Sequence, residues 1–461
     1  MTRILTILLS LLCLSARAAT WYIQSGSTGT SGSDWYSTNA LNDLPTQLVS
    51  SNTYWIGNGN GYHGRSLGGS TGYNAVTNVL VKKATITSHG TDNGWNNSYA
   101  SSASFGTNMF SWWFADGCMN ITNDGSYFGG FQFVVGEQTL HTAAFTIKGS
   151  ASGSCPNIVI LNCSIQGLGD NGLGDGQYNY PWHADSNPWG VDAASRNGFT
   201  CPGLVISNCW ISGLINCFTI DRADGLVIAN NELAWSEGWS GNHGNIGQIY
   251  HSDNVLFYNN FIHNFSAEGL EIVDGNSNSK YYGNVVYGGQ SGGSTSRWIE
   301  DYDNSYPNYT YANNQYYNNT LCDLQLQAFY FMAGAIVTGT QITNNIFMNT
   351  TPGFSGGDYN WYSGGSNNGE THGIAGGSTV PFNRYVGSAN GFTGTNIPSI
   401  WFNLTNAIPG LALSSQYNTD IAGNTRGSDG VWDVGAFEYI TNAILPSVIN
   451  IGSATIINLR N

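Results

Sequence analysis

A phrase of nine residues occurs twice: Cys155-Pro156-Asn157-Ile158-Val159-Ile160-Leu161-Asn162-Cys163 returns as Cys201-Pro202-Gly203-Leu204-Val205-Ile206-Ser207-Asn208-Cys209. The same frame continues through Leu226 to Asn231, Val255 to Asn260, Tyr281 to Asn284, Tyr311 to Asn314 and Ile342 to Asn345. Counted from Cys209 by the closing residue of each phrase, the steps are 22, 29, 24, 30 and 31 residues. Periods of roughly 20–50 residues belong to solenoids and arrays. Each unit holds a short apolar run, a pair ending in Asn, another apolar pair and, after a variable loop, a second strand. Helical repeats need apolar stripes at a period of about 3.6 over roughly ten residues, and these units have none. The expectation is therefore an all-β solenoid whose coils stack strand on strand at about 4.8 Å. Stacked Asn amides can donate to one another from coil to coil, and Asn and Gly accept the left-handed backbone that corners require.

Composition supports this reading. The chain of 461 residues has 61 Gly, 13% aromatic and only 9% charged residues. Such a chain is rich in turns and poor in helix formers. A formal charge of −15 excludes nucleic acid as a partner, because that binding rests on Lys and Arg against phosphate. Arg3, the apolar run Ile4 to Leu14 and Ala16-Arg17-Ala18 read as an export signal over residues 1–19. The run is too short to span a bilayer, so the mature form is expected to be extracytoplasmic and without a membrane span. Residues 20–440 would form the solenoid and 441–461 a β-branched tail able to dock on an edge or join another chain. Loss of Cys13 leaves seven cysteines. Stacking brings Cys155 near Cys201 and Cys163 near Cys209, as disulfides or as buried thiols.

The likeness to a known family spans about residues 20–439. Trp21-Tyr22-Ile23, Asn52 to Ile56, Asn242-His243-Gly244 and the closing stretch from Asp420 through Gly423 and Arg426 to Asp429-Gly430-Val431-Trp432-Asp433-Val434-Gly435-Ala436-Phe437-Glu438-Tyr439 resemble segments of secreted bacterial right-handed parallel β-helix proteins of the pectate-lyase-like superfamily. The resemblance implies a single-stranded right-handed β-helix with loop insertions and a C-terminal cap. The polar residues Arg426, Asp429, Asp433 and Glu438 read as structural, because they can satisfy the last coil and a solenoid needs a cap at each end. The resemblance also implies an extracellular polysaccharide as partner. It names no reaction, because lyases, hydrolases, epimerases and non-catalytic proteins share the fold.

Alignment of the second strand of each coil puts Ile220, Ile249, Ile272 and Ile299 inward. Alternation then sends Thr219, Gln248, Glu271 and Trp298 outward on one side, and Asp221, Tyr250, Val273 and Glu300 on the other. Arg222, His251, Asp274 and Asp301 follow at the corner. Glu271 and Glu300 would lie diagonally, with backbones about 7–8 Å apart, as an acid–base or acid–nucleophile pair. Arg222 beside His251 offers a cation and a base for proton abstraction next to a uronate, or else Arg222 forms a salt bridge with Asp221 or Asp224. Asp274, Asp301 and Asp303 are candidate calcium ligands. His243 in its Gly/Asn loop is a candidate base or turn-former. The insertion over residues 169–198 carries Tyr178, Tyr180, Trp182 and Trp189, whose rings suit sugar faces; with the outward Trp298 they form the expected substrate surface. Two functions follow: a lyase or hydrolase working in a groove of the β-helix, or a non-catalytic glycan-binding surface or matrix protein.

Overall fold

The computed structural model describes residues 18–440, apart from 69–73, 106–111, 136–142, 168–188, 194–197, 237–243, 266, 289–295, 303–308, 333–334, 378–380 and 383–401, together with 448–451 and 454–457 of the tail. Successive coils contribute strands to three long parallel sheets. Sheet I has 11 strands, from Thr20–Ile23 to Gln341–Thr343. Sheet II has 12, from Gly59–Tyr62 to Ile374–Ala375, and sheet III has nine, from Ser66–Leu67 to Phe329–Phe331. The molecule is a right-handed parallel β-helix, the hand that parallel crossovers take. Trp21-Tyr22-Ile23 and Tyr54-Trp55-Ile56 pair in register as neighbouring strands at its start.

The repeated Asn pairs have separate roles. The first member of each pair turns the corner: Asn230, Asn259, Asn318 and Asn344 all have φ between 53° and 60°. The second builds a buried ladder. The Asn231 amide donates to Asn260 Oδ1, Asn260 to Asn284, Asn284 to Asn319, Asn319 to Asn345 and Asn345 to Asn360, at 2.9–3.1 Å. Each of these amides also donates to a backbone carbonyl of an earlier strand, such as Asn284 to Phe257 O at 3.0 Å. All point toward the C-terminal end, and the Glu370 carboxylate closes the series by accepting from Asn360 N and Nδ2 and from the Tyr362 hydroxyl. A terminal group that only accepts matches a ladder that only donates.

The ladder corrects the repeat frame by one corner. The counterpart of Asn284 is Asn319, 35 residues on, and Asn345 follows after 26. Asn313-Asn314 belongs to the preceding corner, where Asn314 Oδ1 accepts from Ser279 N at 3.0 Å. A second correction concerns sheet III. Ile220, Ile249 and Ile272 do stack, but Ile272 lies opposite Asp301 and Ile299 opposite Leu270. Trp298 also leaves the outward face, because strict alternation breaks beside it: Trp298 N and Ile299 N both donate to Ala328 O, at 3.1 and 2.9 Å. Trp298 is 0% exposed and packs on Tyr316 and Phe329 with ring centroids 5.8 and 5.3 Å away.

All seven cysteines of the described residues are unpaired and buried, which settles the choice between disulfides and thiols. Cys209 Sγ lies 3.5 Å from the Cys163 amide. At the N-terminal end the buried Lys83 ammonium donates to the Ile56, Ala84 and Tyr99 carbonyls, and burial lowers its pKa to about 7. At the other end Phe402, Leu404, Val434 and Phe437 cover an apolar patch of sheet II formed by Phe261, Val285, Tyr287 and Ile346. The closing polar cluster ties this cap together. Arg426 donates to Asp433 O and Gly435 O, and Glu438 accepts from Gly427 N and Asp433 N. In the tail, Val448–Ile451 and Ala454–Ile457 form their own antiparallel pair. No helix among the described residues is long and apolar enough to cross a membrane.

Candidate functional site

Sheet III carries the chemistry. Its outward central column runs Thr146, Asp192, Thr219, Gln248, Glu271, Glu300 and Tyr330, each directly beside the next. Glu271 and Glu300 are thus in register rather than diagonal, with backbones about 4.8 Å apart. At the start of the same strands, Glu268 and Arg297 also pair in register. The i, i+3 spacing brings each of these back to the central column. Arg297 Nη1 lies 2.6 Å from Glu300 Oε1, and its guanidinium sits 4.4 Å over the Tyr330 ring.

Glu268 and Glu300 share a hydrogen bond, which requires a proton on one of them. Burial first, then the bond to Glu300 and the charges of Glu300 and Glu271, push the Glu268 pKa up to about 9, with Arg297 opposing. At neutral pH Glu268 keeps its proton. Glu271 is fixed differently. Its Oε2 accepts from Asn245 Nδ2 at 2.5 Å and from Gln248 Nε2. Gln248 is oriented in turn by Asn216 Nδ2, 3.1 Å from its Oε1. The protonated Glu268 carboxyl and its partner Glu300 therefore face a Glu271 side chain held by amide donors, with a guanidinium on the far side.

Beside this lies a second group, on the corner column. Arg222, His251 and Asp274 each have positive φ, 53°, 43° and 59°, so the expected corner is real. Arg222 and His251 meet on Asp221. Arg222 Nη1 lies 2.5 Å from Asp221 Oδ2, and His251 Nδ1 2.9 Å from Asp221 Oδ1. His251 Nε2 faces Asp274 Oδ2 at 3.4 Å. The salt-bridge reading of Arg222 thus holds, and both ring nitrogens of His251 face carboxylates.

The expected calcium ligands do not converge. Asp274 turns to His251, while Asp301 stands opposite Ile272, 1% exposed, and hydrogen-bonds with Tyr311. Among the described residues no group of three or more His, Cys, Asp or Glu is arranged to hold a metal ion. Asp303, His243, Tyr178, Tyr180 and Trp182 lie outside the described residues. Trp189 opens the strand Trp189–Ala193, and the Lys148 ammonium lies 5.8 Å from its ring and 2.5 Å from Asp192. Trp298 faces the core and is unavailable to a ligand.

Glu268, Asn245 and Lys148 complete the site and were not singled out in the sequence, and Asp192 stood out only as part of the 169–198 insertion. A signal existed: Asn216, Asn245, Glu268 and Arg297 each stand three residues before Thr219, Gln248, Glu271 and Glu300, a second polar column in the same phase.

No family model matches the sequence, and no curated protein matches it. Among solved structures it is similar to pectate lyase Pel9A, with 12% identity over 92% of this chain and 96% of that one and a TM-score of 0.38. It is also similar to the tailspike protein of E. coli bacteriophage HK620, with 12% identity over 78% and 67% and a TM-score of 0.38. The A-module of the Azotobacter vinelandii mannuronan C-5 epimerase AlgE4 has 13% identity over 68% and 72% and a TM-score of 0.24. The class rests on the sheets themselves: this is a right-handed parallel β-helix protein.

Proposed function

We propose that this protein is a glycoside hydrolase acting on an extracellular polysaccharide at the outward face of sheet III. The observation that supports it is the juxtaposition of Glu271 with the proton-sharing Glu268–Glu300 pair on neighbouring strands. Two carboxyl groups kept in different protonation states are what acid and nucleophile require. A separation set by adjacent strands, about 5 Å, falls in the range of retaining enzymes. In this reading Glu271 attacks the anomeric carbon, and the leaving oxygen takes the proton from the Glu268–Glu300 pair. Water then cleaves the glycosyl ester, giving its proton back to the pair, and Glu271 is released as carboxylate. Arg297 keeps Glu300 in place and limits its charge. The lyase alternative needs a free base beside a cation, and the ties of His251 and Arg222 to Asp221 disfavour it. The export-like N-terminus supports action outside the cytoplasm.

The test uses purified residues 20–461 on a panel of neutral and uronic-acid polysaccharides, with and without chelator. Reducing ends should appear without ultraviolet absorbance, the first product should retain the anomeric configuration, and Glu271→Gln and Glu300→Gln should each lose at least about 10²-fold. Unsaturated products would make it a lyase. Saturable binding without product would favour the non-catalytic reading.

A further inference from the structure

The position of the acidic cluster within sheet III is asymmetric. Among the described residues six strands precede the one that holds Glu271, but beyond the strand of Glu300 only Phe329–Phe331 follows, with Thr351 and Pro352 bonded to its start. There the Arg297 guanidinium already covers the Tyr330 ring. In the other direction the outward column continues from Thr146 to Trp113 and Ser66. Trp113 has unlike neighbours: Trp112 and Phe114 are fully buried, whereas Trp113 is 41% exposed. Its ring is nonetheless held, because Nε1 donates to Lys148 O at 3.1 Å. A large aromatic face that is pinned and left in water is what a sugar ring stacks on.

The register gives the distance. Trp113, Thr146, Asp192, Thr219, Gln248 and Glu271 are successive neighbours. Five steps of about 4.8 Å put Trp113 about 24 Å from Glu271. An extended glycan advances by nearly one coil per sugar. The floor between is uncharged in sum, since Lys148 and Asp192 neutralise each other and Thr146, Thr219 and Gln248 are neutral. Beside three glutamates this favours a neutral sugar over a uronate.

We infer that an extended neutral glycan lies along the helix axis, with about five sugars between the scissile bond and a platform on Trp113, and room for only one or two on the Arg297–Tyr330 side. Trp113 is then the residue that measures chain length, and the short arm makes the enzyme release one or two sugars at a time. This rests on the hydrolase reading for the cleavage and on the geometry alone for the binding.

The experiment separates the two. The Glu300→Gln protein, alone and combined with Trp113→Ala, is titrated with cello-, xylo-, manno- and arabino-oligosaccharides of two to eight units. Affinity for one series should rise with length up to about seven units. Trp113→Ala should cost about tenfold for the heptasaccharide and under about twofold for the trisaccharide. Equal losses at every length, no loss, or no binding of any series overturns the inference. With Glu300 intact, soluble products should be mono- and disaccharides from the first time points, and long early products overturn the short arm. If the chain-length effect is found and no product forms on the parent polysaccharide, the hydrolase reading fails and the axial binding site stands.

Discussion

Replacing Glu268 by glutamine separates the catalytic use proposed for this side chain from its effect on folding. In the folded protein its carboxyl holds a proton to about pH 9, against 4.5 for an ordinary glutamate. Between those values the folded state binds a proton that the unfolded state lacks, so stability falls as pH rises, by about 1.4 kcal/mol per pH unit. At pH 7 the accumulated loss is about 3 kcal/mol, and below about pH 4.5 there is none. Glu268→Gln keeps the shape and an N–H for Glu300 but has no proton to lose. The variant should therefore match the wild type at pH 4, exceed it by about 3 kcal/mol at pH 7, and exceed it further at pH 8.5. Turnover should fall about 10²–10⁴-fold at the same time. Urea unfolding at the three pH values, beside reducing-end assays, reads both effects. A gap that does not grow with pH, or a variant less stable at pH 7, would show that Glu268 is ionised in the folded protein and would remove the proton-sharing pair.

Glu370→Gln should lower stability by about 1.5–3 kcal/mol in urea melts, because an amide oxygen that accepts from Asn360 Nδ2 and Tyr362 turns the amide's own N–H groups on the Asn360 backbone N–H. Trp298→Ala should cost about 3–5 kcal/mol in the same assay, the price of a core cavity, and an unchanged midpoint would return Trp298 to the surface. Native residues 20–461 should show no thiol to a thiol reagent, and the denatured protein all seven.

The sequence disclosed the architecture because the same corner chemistry recurs from coil to coil from Asn231 to Asn360. Asn pairs need a left-handed residue followed by a buried amide, and no other arrangement explains both halves. What it hid follows from periodicity. Tyr311 to Asn314 and Tyr316 to Asn319 hold two Asn pairs five residues apart, and only pairing decides which one continues the ladder. In sheet III a slip of two residues leaves every side chain on its original face. Ile299 can lie against Ile272 or Leu270 with equal apolar logic, yet the choice decides whether Glu300 stands beside Glu271. Glu268 escaped because it begins its strand, where strict alternation does not hold and the side chain returns to the face by its i+3 neighbour.

The one-way amide ladder has a consequence for how such a molecule can change size. A whole coil carrying its own Asn can be spliced between Asn260 and Asn284, since each rung asks only for an acceptor above and a donor below. Beyond Glu370 no rung can be added, because its carboxylate has nothing to donate. Growth is thus confined to the interior of the stack, and coils inserted after Thr146 and before Gln248 lengthen the span from Trp113 to Glu271. The repeat works as a ruler with a fixed end, on which the distance from Trp113 to Glu271 is set by the number of turns.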